Sequence, residues 1–161
     1  MSMAIEVGQK APDFTVPCCD GNKAEPLTLS KELGKENIVL AFFPLAFSPV
    51  CTNELCQFRD GLSQFSKLNA KVFGISVDSP FANNAFIKAH NLSFKLLSDF
   101  NKDVSRLYGV LHEDLGGLKG VSKRSVFVLD KQGTVRYRWV SEDPTKMPDQ
   151  KEVIKVLELL S

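Results

Sequence analysis

The chain has 161 residues, 43% of them hydrophobic and 24% charged, with a formal net charge of +1. That length favours one domain, spanning 1–161, with a core of its own. The near-neutral balance excludes bulk-charge binding of nucleic acid or an anionic membrane, and no run of about 20 apolar residues offers a membrane span. The N-terminal stretch "MSMAIEVGQKAPDF" lacks the basic-then-apolar order of a secretory leader, which points to a cytoplasmic protein. Four cysteines are too few for a disulfide scaffold. In a reducing compartment such thiols are buried, metal-bound or reactive.

In chain order, short strands are expected at 13–17 and 27–29, with a turn at 20–22. The run "NIVLAFFPLA", 37–46, is β-branched and aromatic and reads as a central strand. Residues 49–68 follow helical spacing, with Val50, Leu55, Phe58, Leu62, Phe65 and Leu68 recurring at threes and fours. "KVFGISVD", 71–78, is a second buried strand. Pro80 opens a helix to about His90, with Phe81, Ala85 and Ile87 expected on its apolar side. "FKLLSD", 94–99, is a short strand, and "NKDVSRLYG", 101–109, a short helix ended by Gly109. Residues 124–140 read as an antiparallel hairpin turning at Lys131-Gln132-Gly133. "PDQKEVIKVLELL", 148–160, is a closing amphipathic helix. Two strand–helix units imply parallel pairing, and the hairpin adds antiparallel strands. The predicted fold is α/β and thioredoxin-like, a mixed central sheet flanked by helices with an N-terminal β extension.

The chemistry concentrates in "FFPLAFSPVC", 42–51. With Ser48 as N-cap, Pro49 is N1, where its missing N–H costs nothing and its φ is already helical. Cys51 is then N3. First-turn amides and the helix dipole favour an anion at that spot, so the Cys51 thiol stands where a thiolate is held. A thiol of pKa about 8.5 is already about 3% ionised at pH 7, so full ionisation gains at most roughly 30-fold. Enzymes need accelerations of about 10⁶ or more. Donors aimed at the transition state are therefore required. Ser48, the first-turn N–H groups and Arg124, just before a buried strand, are the candidates. Glu54 shares the helix face of Cys51 and would oppose a thiolate unless it pairs with a guanidinium and orients it.

Cys56 sets a geometric condition. Residues five apart in a helix differ by about 140° and rise about 7.5 Å, whereas a disulfide needs Cα atoms about 4.4–6.8 Å apart. Either Cys51 and Cys56 are unrelated, or the first turns unwind on oxidation so that Cys56 can resolve a sulfenic acid.

These residues resemble the peroxiredoxin family. Pro44, Ser48 and Cys51 fit its PxxxSxxC form of the active-site pattern, and Arg124, the strand–helix order and the length also fit. "CTNELC" is similar to the bacterioferritin-comigratory subfamily, and "FSPVCTNELCQFRD" also looks like the alkyl hydroperoxide reductase E type. The resemblance implies a thiol peroxidase for hydrogen peroxide and organic hydroperoxides, with no metal, haem or flavin. It implies that Cys51 is the peroxidatic cysteine, that Pro44, Ser48 and Arg124 shield, hydrogen-bond and polarise the peroxide, and that Cys56 forms the resolving disulfide. The expected partners are a thioredoxin-like or glutaredoxin-like reductant and a second copy in a homodimer; the Phe47 ring in the catalytic loop packs either inside its own chain or against that partner. A one-cysteine enzyme resolved by an external thiol stands as the alternative, and a non-catalytic redox-sensing or chaperone-like module as a further one. No CxxC supports a disulfide oxidoreductase. The spacing of Cys18, Cys19, Cys51 and Cys56 fits zinc poorly, and His90 and His112 read as surface residues. Cys18 and Cys19 match no family role and read as structural.

Overall fold

A computed structural model describes residues 4–160; Met1–Met3, which begin the stretch read for a leader, and Ser161 lie outside the described residues. The elements are β1 (Thr15–Cys19), β2 (Ala24–Thr28), α1 (Leu29–Glu32), β3 (Asn37–Phe42), α2 (Pro49–Asp60), α3 (Leu62–Lys67), β4 (Ala70–Ser76), α4 (Pro80–His90), β5 (Lys95–Ser98), α5 (Asp103–Leu107), β6 (Leu111–His112), β7 (Val121–Ser122), β8 (Ser125–Leu129), β9 (Val135–Val140) and α6 (Gln150–Leu160). Seven strands form one sheet in the order β2-β1-β5-β4-β3-β8-β9, and β6 pairs with β7. The centre is parallel, β3 with β4 and β4 with β5. The β8–β9 hairpin is antiparallel at one side. The β1–β2 hairpin extends the other side through β5. This is the expected thioredoxin-like sheet with its N-terminal β extension.

The period of two in β3 builds both faces of the core. Val39, Ala41 and Phe43 meet Leu55 and Phe58 of α2, Phe86 of α4 and Val153 and Leu157 of α6. Ile38, Leu40 and Phe42 meet Leu29 of α1 and Val104 of α5 on the opposite face. Each fully buried side chain of this kind stabilises by about 1.5–3 kcal/mol relative to exposure, so apolar stripes hold the helices on the sheet. Gly74 leaves room for Leu96 of the neighbouring β5. A Cβ there would come within 2.6 Å of Leu96 and 3.4 Å of Leu55.

Three local expectations change. The helix predicted over 49–68 breaks at Gly61 into α2 and α3. Gly61, with φ −94° and ψ 4°, ends α2 and precedes α3, where glycine's low helix propensity favours a break. On α4 the buried residues are Asn83, Phe86 and Ile87, while Ala85 is exposed and Phe81 is 86% exposed. Of the predicted stripe, Ile87 is buried as expected, while Phe81, in the first turn, and Ala85 face outward. The N-terminal strands are β1 and β2 as given above, shifted by two or three residues from 13–17 and 27–29.

The topology decides where chemistry can gather. Phe42, at the end of β3, pairs with Ile75 of β4 and with Ser125 of β8. Because β8 runs antiparallel to β3, Arg124 arrives where the chain leaves β3 for α2. Asp78 lies just beyond the end of β4 at the same edge. Ligands of open α/β sheets bind at this carboxyl edge of the parallel strands. Among the described residues no helix is long and apolar enough to cross a membrane.

Candidate active site

The segment 44–48 makes a tight turn between β3 and α2. Pro44 is buried at its start. The Ser48 hydroxyl donates to the Leu45 carbonyl at 2.9 Å, and the Ala46 N–H donates to Asp78 Oδ2 at 2.7 Å. Phe47 has φ 69°, a left-handed conformation uncommon for a non-glycine residue. Its ring, half-exposed, packs against Phe86 at 4.9 Å and His90 at 6.2 Å between centroids. Phe47 therefore rests on its own chain's α4.

Ser48 occupies the N-cap position and Pro49 is N1, as expected. The Ser48 side chain, however, makes no cap bond. Its proton points back to Leu45, and its carbonyl accepts from the N–H and the hydroxyl of Thr52 at 2.9 and 2.8 Å. The first-turn amides of α2 thus carry no side-chain cap. Cys51, at N3 of this helix, is 0% exposed.

Arg124 meets Cys51 there. It is 1% exposed, against the usual surface placing of arginine. Its Nη2 donates to Cys51 Sγ at 3.2 Å and to the Pro144 carbonyl at 2.9 Å. Its Nε donates to the same carbonyl at 3.1 Å, and its Nη1 donates to Glu54 Oε1 at 2.8 Å. Glu54 is buried and its Oε2 has no partner. Burial pushes the Glu54 carboxyl up to about 7, against the pull of the Arg124 guanidinium. The ion pair fixes the plane of the guanidinium, and the fork geometry of arginine leaves Nη2 free to reach sulfur. The pairing expected of Glu54 and Arg124 is thus found. The Pro144 carbonyl was missed. It lies in "EDPTKMPD", a segment whose composition reads only as a loop, and a backbone acceptor leaves no mark in side-chain chemistry.

Cys56 stands on the same intact α2, partly exposed, and all four cysteines are free thiols. Cys18 and Cys19 are consecutive in β1 and face opposite sides of the sheet, one in each core cluster. Burial raises both thiols, Cys19 to about 11, and the Cys19 thiol donates to the Pro80 carbonyl at 3.7 Å. His112 corrects the surface reading given to it. It is buried in β6, its Nε2 has no partner, and burial lowers its pKa. Its strand is two residues long, too short for periodicity to reveal a buried face. His90, at the end of α4, is partly exposed.

The sequence matches the AhpC/TSA family over residues 7–138. The chain belongs to that family. It is 43% identical to the putative peroxiredoxin bcp of Coxiella burnetii over 85% of this chain and 89% of that one. It is 35% identical to the chloroplastic 2-Cys peroxiredoxin BAS1 of Spinacia oleracea over 84% of this chain but 52% of that one, so it spans about half of that longer relative. The crystal structure of peroxidoxin BcpB from Mycobacterium tuberculosis superposes with a TM-score of 0.85 at 31% identity, covering 99% of both chains. The protein is thus a peroxiredoxin oxidoreductase, and the peroxiredoxin fold brings Cys51, Glu54 and Arg124 into one buried cluster, with Pro44 and Ser48 in the turn that leads into it.

Proposed function

We propose that this peroxiredoxin reduces hydrogen peroxide and organic hydroperoxides with Cys51 as nucleophile. The observation that carries this reading is the 3.2 Å contact of the buried Arg124 guanidinium with Cys51 Sγ, at the uncapped start of a helix. The Cys51 thiolate attacks the terminal peroxide oxygen. The O–O bond breaks, the sulfur is oxidised to the sulfenic acid, and the leaving oxygen takes a proton to depart as water or an alcohol. Negative charge moves from sulfur onto the leaving oxygen. Arg124 Nη2, which already donates to the sulfur, follows that charge without reorganising, and the uncapped start of α2 adds its dipole. Glu54 orients Arg124, Pro44 screens the thiol from water, and Ser48 braces the turn.

In the second half, the Cys56 thiol displaces hydroxide from the sulfenic sulfur, giving a Cys51–Cys56 disulfide and water. Both cysteines lie on α2, so its first turns must open. A thioredoxin-like or glutaredoxin-like dithiol then reduces the bond. We read residues 1–161 as one cytoplasmic catalytic domain that pairs as a homodimer.

Single-turnover peroxide consumption by reduced Cys51→Ser tests the assignment. Loss of consumption with the fold retained is expected, and consumption at the parent's rate would refute it. Recycling of Cys56→Ser with thioredoxin as fast as the parent would instead assign resolution to an external thiol.

A further inference from the structure

We propose that Asp78 is a positioning residue for the peroxide reaction, holding the 44–48 turn so that Cys51 stays in register with Arg124. The inference rests on the reading of Cys51 as nucleophile. Asp78 Oδ2 accepts the Ala46 N–H at 2.7 Å and the Ser76 hydroxyl at 2.7 Å. The Asp78 carbonyl accepts the Ser98 hydroxyl at 2.7 Å. The Asp78 backbone is therefore held from β5 and its carboxylate from β4, and the same Oδ2 takes a backbone amide two residues before the N-cap of α2. Hydrogen bonds to an ionised acceptor are roughly twice as strong as neutral ones.

Asn83 completes the relay from α4. Ser76 Oγ lies 3.3 Å from Asn83 Oδ1, but the Ser76 proton is directed at Asp78. Exchanging the oxygen and nitrogen of the Asn83 amide puts Nδ2, otherwise a buried donor without a partner, onto Ser76 Oγ. The chain then runs Asn83 to Ser76 to Asp78, with Ala46 donating from the other side.

The turn needs such a hold. Phe47 sits at positive φ, a conformation that costs on the order of 1–3 kcal/mol and persists only where its surroundings over-determine it. Asp78 fixes the residue before Phe47, and the rings of Phe86 and His90 fix Phe47 itself. All of these belong to β4, α4 and the link between them. Releasing the amide lets the turn relax, and with it the placing of Cys51 against Arg124. A misplacement of about 1 Å from a change remote from the chemistry can lower a rate by about 10²-fold.

The experiment compares Asp78→Ala and Asp78→Asn with the parent in stopped-flow reaction with hydrogen peroxide. Rates are normalised to folded protein from a thermal melt, and iodoacetamide alkylation of Cys51 is measured alongside. Alkylation needs the thiol but not the peroxide donors. Asp78→Ala is expected to slow the peroxide reaction about tenfold or more without slowing alkylation. Asp78→Asn, which keeps an acceptor for Ala46, is expected to recover most of the rate. A peroxide rate for Asp78→Ala within about twofold of the parent, a parallel fall in alkylation, or no recovery in Asp78→Asn overturns the proposal. Should Asp78→Ala not fold, Ser76→Ala takes its place, with a several-fold loss expected and an unchanged rate overturning it. A parent protein inert to peroxide would defeat the functional reading itself, whatever the variants do.

Discussion

Two helices of this chain begin with the same dipeptide, Ser48-Pro49 at α2 and Ser79-Pro80 at α4. The backbones agree, with φ/ψ of −71°/148° at Ser48 and −65°/159° at Ser79. The hydroxyls do not. Ser79 Oγ accepts the Ala82 N–H at 3.2 Å and caps its helix. Ser48 turns its hydroxyl to the Leu45 carbonyl and leaves α2 uncapped. A cap of the first kind stabilises by about 1 kcal/mol. An open start keeps the N–H groups and the positive end of the dipole for an anion. The buried polar side chains differ as well, a carboxyl on α2 (Glu54) and a neutral amide on α4 (Asn83). One dipeptide thus starts a helix closed for stability and another left open beside a buried guanidinium.

The largest consequence of this difference is expected at Arg124, which has no counterpart at the start of α4 among the described residues. Arg124→Ala should slow single-turnover peroxide reduction by about 10²-fold or more, as loss of an oxyanion donor does. A loss under the roughly 30-fold available to ionisation alone would reduce the arginine to a tuner of thiol ionisation. Next come the two serines. Ser48→Ala should slow the peroxide reaction several-fold by freeing the turn. Ser79→Ala should leave that rate unchanged and instead lower stability by about 1 kcal/mol in urea unfolding. The same response from both variants would erase the distinction between the two starts.

A third consequence is a pH dependence of stability carried by Glu54. Its carboxyl in the fold is lifted from 4.5 to about 7 by burial. Between those values the folded chain holds a proton that the unfolded chain has released. Stability from this group is therefore full below the unfolded value and is lost as pH rises through about 7. Unfolding at about pH 5 and about pH 8 should show the parent losing stability relative to Glu54→Gln over that interval. Equal slopes would place an ionised Glu54 in the fold throughout.

The sheet was legible because β3, β4 and β8 are largely buried and rich in β-branched and aromatic residues, and the connections between them limit the topology to a few choices. Cys51, Pro44, Ser48 and Arg124 were legible because residue type and spacing carry their chemistry. The direction of the Ser48 hydroxyl was not, since the same dipeptide gives opposite answers at α2 and α4 and the neighbouring Leu45 carbonyl decides. Asp78 was hidden for a related reason. It stands last in the stretch 71–78 read as a buried strand, just before Ser79-Pro80, and only the parallel pairing of β3 with β4 brings it to Ala46. Pro144 and His112 escaped because a backbone acceptor and a two-residue strand leave no periodic trace. The break at Gly61 escaped because the apolar spacing continues across it, and a periodic pattern does not weigh one glycine's low helix propensity.

Amide hydrogen exchange of the reduced protein, before and after one equivalent of hydrogen peroxide, separates the two helices in a single measurement, with peptide mass spectrometry reporting the bond formed. Opening the first turns of α2 forfeits several backbone hydrogen bonds at about 1 kcal/mol net each, and the disulfide offsets part of that loss. Oxidation is expected to join Cys51 to Cys56, to raise exchange across residues 49–60, and to leave residues 80–90 as protected as before. Full protection of 49–60 in a protein whose Cys51 has been oxidised, or a bond from Cys51 to Cys18 or Cys19, would contradict this picture of α2 as the helix built to open.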